Sequence, residues 1–249
     1  MGDYLMRGDA PLTEGEWAQV DGIVVDVARK LLVGRRVLDL AGPFGAGLEV
    51  IPVGTGAGRA QIPLTVIEED FALNWREVEA SRQMGVPLEL GTAAKAAMAC
   101  AKAEDLLILD GLAAAAGNSV AVGDWSEPGV PLSDVVKATE KLFAADCFGP
   151  YAVVLSPDLY AATQRVSRGM GRMVSKLMAG VAEGGLYRSA LLGAGTGLVL
   201  ALGAYNFDLV VGQDLITAYQ GNEGLDHGFR VLETVALRVK RPAAICKLG

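Results

Sequence analysis

Behind Thr13 the apolar residues Trp17, Val20, Val24, Val27 and Leu31 recur at helical spacing and share one face. Thr13 and Glu16 make a T-x-x-E capping box ahead of them, and Gly34 is placed to stop the helix. A segment rich in glycine and proline follows, opening at Gly42-Pro43. Its β-like pieces, Leu48–Val53 and Ala60–Val66, predict a long hairpin arm. The strongest helical signal runs from a cap at Gly91 or Thr92 to about Ala116, with Met98, Leu106, Leu109 and Leu112 as its apolar stripe. The middle alternates: helix over Leu132–Ala145 with Ser133 as N-cap, strand over Ala152–Ser156, helix over Asp158–Val166, strand over Leu198–Leu202. The closing third predicts sheet. Asp208–Val211 is broken by Gly212, Gln213–Tyr219 resumes, and Gly221–Gly228 is read as a turn. Phe229–Val239 then alternates, with Glu233 interrupting its apolar side.

Composition changes this picture in one respect. The 249 residues are 51% hydrophobic and only 20% charged, which predicts either extensive contact between subunits or an Ala-rich core. A net charge of −7 argues against nucleic acid as the main ligand. Cys100, Cys147 and Cys246 lack metal-ligand spacing and read as small buried residues in a reducing cytoplasm. The charged N-terminus has no signal-peptide core, and glycines interrupt the uncharged stretch Ser189–Phe207, so no membrane span is predicted.

Catalytic constellations are not found. VGTGAG (Val53–Gly58) lacks the Lys-Ser/Thr of a phosphate loop and the third glycine of a dinucleotide fold. His227 stands alone in a glycine-flanked turn, away from any metal-ligand cluster. Glu104 and Asp105 are adjacent on a helix and point about 100° apart, so they cannot converge on one substrate; solvation or an interface ion pair is expected for them. Trp75 is expected at a domain or subunit interface.

Four stretches stand in a telling order: APLTEGEW through GRRVLDLAGPFG (Ala10–Gly45), EDLLILDG (Glu104–Gly111), GPYAVVLSPDL (Gly149–Leu159), and FDLVVGQDL through FRVLETVALRVKRPAAICKL (Phe207–Leu248). Together the chain resembles the encapsulin shell proteins. The resemblance implies an α+β fold of the Hong Kong 97 capsid type. It implies a peripheral domain from Met1–Gly42, Leu73–Gly117 and Tyr205–Gly249, an extended arm from Pro43–Ala72, and an axial domain from Asn118–Ala204. The glycine-rich arm looks shorter than the family's.

The function implied is structural and non-enzymatic: self-assembly of about sixty copies, the smallest icosahedral arrangement, into a cytoplasmic nanocompartment. A C-terminal targeting peptide of a cargo enzyme, such as a ferritin-like iron-storing protein or a haem peroxidase, would dock on the inner face. Carried onto this chain, the groove would be lined by Val24, Ala28, Leu31, Val37 and Asp39, with Asp214, Leu215 and Ile216 from the closing sheet; intradomain core is the other reading of the same residues. Arg168, Gly169, Met170, Gly171 and Arg172 would lie near a five-fold pore. No cofactor is required, although the resemblance admits a flavin, with Trp75 as a stacking surface. Two other readings are a prophage or viral major capsid protein and a soluble α/β enzyme. A motif that starts almost at Met1 favours the compartment over the capsid protein.

Overall fold

The computed structural model describes residues 3–54, 60–127, 129–166 and 171–249. In chain order its elements are α1 (Glu14–Leu31), β1 (Asp39–Ala41), β2 (Val50–Val53), β3 (Ala60–Pro63), β4 (Thr65–Leu73), α2 (Trp75–Met84), α3 (Gly91–Ala115), β5 (Asn118–Val120) and α4 (Val130–Ala144). Then come β6 (Tyr151–Leu155), α5 (Pro157–Thr163), α6 (Val174–Met178), β7 (Gly185–Arg188), β8 (Gly197–Ala201), β9 (Phe207–Val211), β10 (Ile216–Glu223), β11 (Asp226–Val239) and β12 (Ile245–Leu248).

The long strand β11 organises the first sheet. β4 lies along one of its edges, and β9 and β10 follow one another along the other, all antiparallel to it. β1 adds in parallel beyond β9. Alternation along β11 buries Phe229, Val231 and Val235, with Phe229 at the centre of an aromatic cluster. Phe71 stacks on it at 5.2 Å, Trp17 meets it edge-on at 5.6 Å, and Tyr219 tilts against it at 5.3 Å. The second sheet has the order β5-β12-β8-β6-β7. The last strand thus returns to the sheet built from residues 118–201, so the hydrogen-bonded sheets divide the chain differently from the expected peripheral segment Tyr205–Gly249.

The capping box forms as the T-x-x-E spacing predicts. The Thr13 hydroxyl accepts from the Glu16 N–H and the Glu16 carboxylate accepts from the Thr13 N–H. Arg82 of α2 donates to the same carboxylate, which holds it down at about 2. Two other caps differ from expectation. Thr92 sits inside α3 and donates to the Ala72 carbonyl, and α4 starts after Gly129 with Pro131 in its first turn rather than at Ser133. The hairpin is also longer than expected. β10 and β11 run through Gly221 and Gly228, leaving only Gly224 and Leu225 to turn, and His227 is a strand residue whose Nδ1 meets Asn222 at 2.9 Å.

The apolar face of α3 keeps Leu109 and Leu112 of the expected stripe but not Met98 and Leu106. Met98 and Leu106 are exposed, while Ala93, Ala97, Cys100, Ile108, Leu109 and Leu112 pack inward. Small alanines let α3 approach α1 and the β4–β11 face closely. The three cysteines are buried and free, and burial pushes the Cys100 thiol up to about 12. Among the described residues no helix is long and apolar enough to cross a membrane.

Candidate functional site

The region where α1 ends is built by two buried acids that sequence reasoning placed in solvent or at an interface. Asp105 accepts from the Val33 N–H at 2.8 Å and the Gly34 N–H at 2.7 Å, which fixes the turn that follows α1. Burial still raises its pKa against these two bonds. Gly34 does not end the helix by a left-handed turn, because the C-cap is Leu32. Its role is close approach: a Cβ there would stand 2.6 Å from Ile108 Cδ1.

Arg35 turns inward from the same turn and gathers three carboxylates. Its Nε and Nη2 donate to Glu104 at 2.8 Å each, Nη2 donates to Glu233 at 2.7 Å, and Nη1 donates to Asp214 at 2.8 Å. Glu104 and Glu233 are 0% and 1% exposed. One guanidinium cannot neutralise two buried carboxylates and a third at the surface. Burial first, then the charge of Glu104, pushes Glu233 up to about 9, so Glu233 carries a proton at neutral pH. This arrangement also gives a use to Glu233 Oε1, which otherwise has no partner among the described residues. The network ties α1's turn, α3 and β11 to the Gln213–Leu215 link between β9 and β10. Nothing in the sequence marks it except Glu233 on the apolar side of an alternating strand.

The predicted groove residues separate into two groups. Val24, Ala28 and Val37 are 1%, 3% and 3% exposed and belong to the protein's own packing, so no external segment can touch them in this conformation. Leu31, Asp39 and Asp214 are exposed, and Leu215 and Ile216 are half-buried. Leu215 packs on Ala28, Leu32 and Ala101, which brings the closing sheet against the end of α1. Leu31 also borders a cleft of about 520 Å³ between α1, α3 and β7.

Of the predicted pore residues, Arg168, Gly169 and Met170 lie outside the described residues. Gly171 adopts a left-handed φ of +62° and Arg172 is exposed, beside a bridge between Val166 and Met173. Trp75 is half-buried with the Arg76 guanidinium 5.4 Å from its ring. Large apolar side chains stand exposed in several places, among them Phe44, Val66, Leu106 and the edge-to-face pair Phe143 and Phe148. Among the described residues no group of three His, Cys, Asp or Glu is arranged to hold a metal ion.

Residues 2–236 match the family model described as encapsulating protein for peroxidase. The whole chain is 39% identical to a type 1 encapsulin shell protein of Myxococcus xanthus, covering 97% of that protein. It is 33% identical to a diheme-cytochrome-encapsulin shell fusion protein of Kuenenia stuttgartiensis, over 95% of this chain and 73% of the relative. In three dimensions the virus-like particle protein of Pyrococcus furiosus superposes with a TM-score of 0.82 at 21% identity, covering 95% of this chain and all of that one. A chain from the structure of Mycobacterium phage Che8 superposes at 0.63 and 14% identity, over 88% of this chain and 91% of that one. These likenesses establish the Hong Kong 97-type capsid fold. The chain belongs to the encapsulin shell proteins, and its role is structural: copies of it build an icosahedral protein nanocompartment.

Proposed function

We propose that the compartment encloses a cargo enzyme held by a short C-terminal peptide. The peptide would take Leu31, Leu215 and Ile216 as its apolar contacts and Asp39 and Asp214 as its acidic ones. The observation that carries this reading is the pairing of half-exposed apolar side chains with two surface carboxylates, at a place rigidified by Arg35 and Asp105. Such a strip suits a peptide with apolar anchors and basic residues. Relatives with a diheme cytochrome or a ferritin-like protein fused to the shell support a redox-active cargo. About sixty copies, the smallest icosahedral arrangement, is the assembly we favour.

Leu31→Asp tests the strip. Losing one apolar anchor removes about 1.5–3 kcal/mol of peptide binding, so co-purified cargo is expected to fall by at least about tenfold while hollow particles still form under negative stain. Shells that retain their full cargo load overturn the assignment. Val37→Asp is a poor probe, because Val37 is core.

We assign the loop around Gly171 and Arg172 to the five-fold opening, where an exposed arginine favours small anions. A cryo-EM map that places Arg172 away from every symmetry axis would remove that assignment. The reading needs no bound cofactor.

A further inference from the structure

The cleft between the end of α1, α3 and β7 differs in charge from the strip beside it. Lys30, Arg36, Lys102 and Arg188 all line it, and none of the four forms an ion pair among the described residues. In a chain of net charge −7 this is a local excess of positive charge, and converging like charges repel one another unless an anion joins them. Among the described residues the one acid in the lining is Asp105, and the only one of the four cations whose charge is felt by it is Arg36. Both Asp105 oxygens are occupied by the Val33 and Gly34 N–H groups. Helix polarity accounts for Lys30 at the end of α1. It does not account for Lys102 in the middle of α3 or Arg188 at the end of β7.

Two aromatic side chains line the same cleft. Tyr160 of α5 and Tyr187 of β7 are half-buried in it, and the Tyr187 hydroxyl is anchored on the Gly184 carbonyl at 3.0 Å. The Arg188 guanidinium lies 5.6 Å from the Tyr160 ring, a cation–π contact that holds it in place. A volume of about 520 Å³ falls in the range of small-molecule sites. We propose that this cleft binds a nucleoside di- or triphosphate, with the flat base against the tyrosines and the phosphates among Lys30, Arg36, Lys102 and Arg188. Arginine and lysine suit phosphate by charge and hydrogen bonding, and tyrosine faces suit any base. The site does not depend on the cargo assignment, since its charge is opposite to that of the Asp39–Asp214 strip.

The test titrates assembled shells with ADP by isothermal calorimetry, with pyrophosphate and adenosine as separate probes. Saturable ADP binding near one site per subunit is expected. It should weaken by at least about tenfold in Lys102→Glu/Arg188→Glu shells, and measurably on raising salt from about 50 to 200 mM, because salt screens exposed charges. Pyrophosphate and adenosine should each bind more weakly than ADP. If the charge-reversed chain does not assemble, Lys102→Gln/Arg188→Gln replaces it, with a smaller loss expected. Absence of saturable ADP binding, or equal binding by the variant, overturns the proposal. Pyrophosphate binding as tightly as ADP overturns the nucleotide assignment, because the tyrosines would then contribute nothing.

Discussion

Replacing Arg35 with alanine is expected to lower the stability of the subunit by about 3–5 kcal/mol, the loss typical of leaving a buried charge without its partner. Among the described residues the guanidinium is the sole cation hydrogen-bonded to Glu104 and Glu233, two side chains with almost no contact with water. Without it both acids would have to be protonated, or water would have to enter between α3 and β11. The turn after α1 would lose its tie to Asp214, and the strip around Leu215 would loosen with it. For a chain of this size, the loss corresponds to a drop of roughly 6–20 °C in the unfolding midpoint, with poor yield of assembled particles. A second variant keeps the argument exposed to failure. Arg35→Met/Glu104→Met/Glu233→Met removes the buried members of the network together, leaves only the solvent-exposed Asp214, and should recover much of the loss, because buried ion networks are often replaceable by apolar groups of similar volume. If Arg35→Ala alone melts within a degree or two of the parent shell, the network does not hold the subunit together.

Local signals carried well from sequence to structure where a residue's job lay within a few positions of it. The Thr13–Glu16 box is such a case: both hydrogen bonds span three residues, so spacing alone fixes them. The alternation of β11 is another, since burial on one face requires it. Residues whose partners lie far along the chain were not legible. Glu104 and Asp105 reach Arg35 and the Val33–Gly34 turn 69 to 72 positions away. Adjacent acids on a helix look like a solvated pair until a second segment crosses them. Glycines misled in the same way. Gly221 and Gly228 read as turn residues, yet they face each other across the β10–β11 ladder beside a register shift at Tyr219. Gly34 reads as a helix stop, yet it is there because α3 passes too close for a side chain. The residues expected at a groove divide for a related reason. Resemblance names positions on α1 and the closing sheet, but only packing distinguishes Val24, Ala28 and Val37, which face inward, from Leu31, which faces out.

Glu233→Gln is expected to stabilise the subunit, and to do so more as the pH rises from 5 to 9. The carboxyl of Glu233 is pushed from 4.5 up to about 9 by burial and by Glu104. Below 4.5 the folded and unfolded chains both hold the proton, so the group takes nothing from stability. Between 4.5 and 9 the unfolded chain releases a proton that the folded chain keeps, and stability falls as the pH rises, by at most about 1.4 kcal/mol per unit. The groups facing Glu233 keep this direction. Glu104 from α3 and Asp214 from the β9–β10 link are negative and disfavour a second charge, while Arg35 offsets them only in part. The carboxylates with lowered pKa act elsewhere on the scale: Glu16, held near 2 by Arg82, contributes stability that is complete above 4.5 and is lost progressively as the pH falls from there through about 2. Glutamine reproduces the protonated acid, its amide donating to Glu104 and its carbonyl accepting from Arg35. The gain over the parent should grow from near zero at pH 5 to roughly 2–4 kcal/mol at pH 8, read as diverging midpoints in thermal unfolding of the two shells across that range. Parallel pH profiles would mean that Glu233 is already ionised in the folded subunit, and that Arg35 neutralises both buried acids after all.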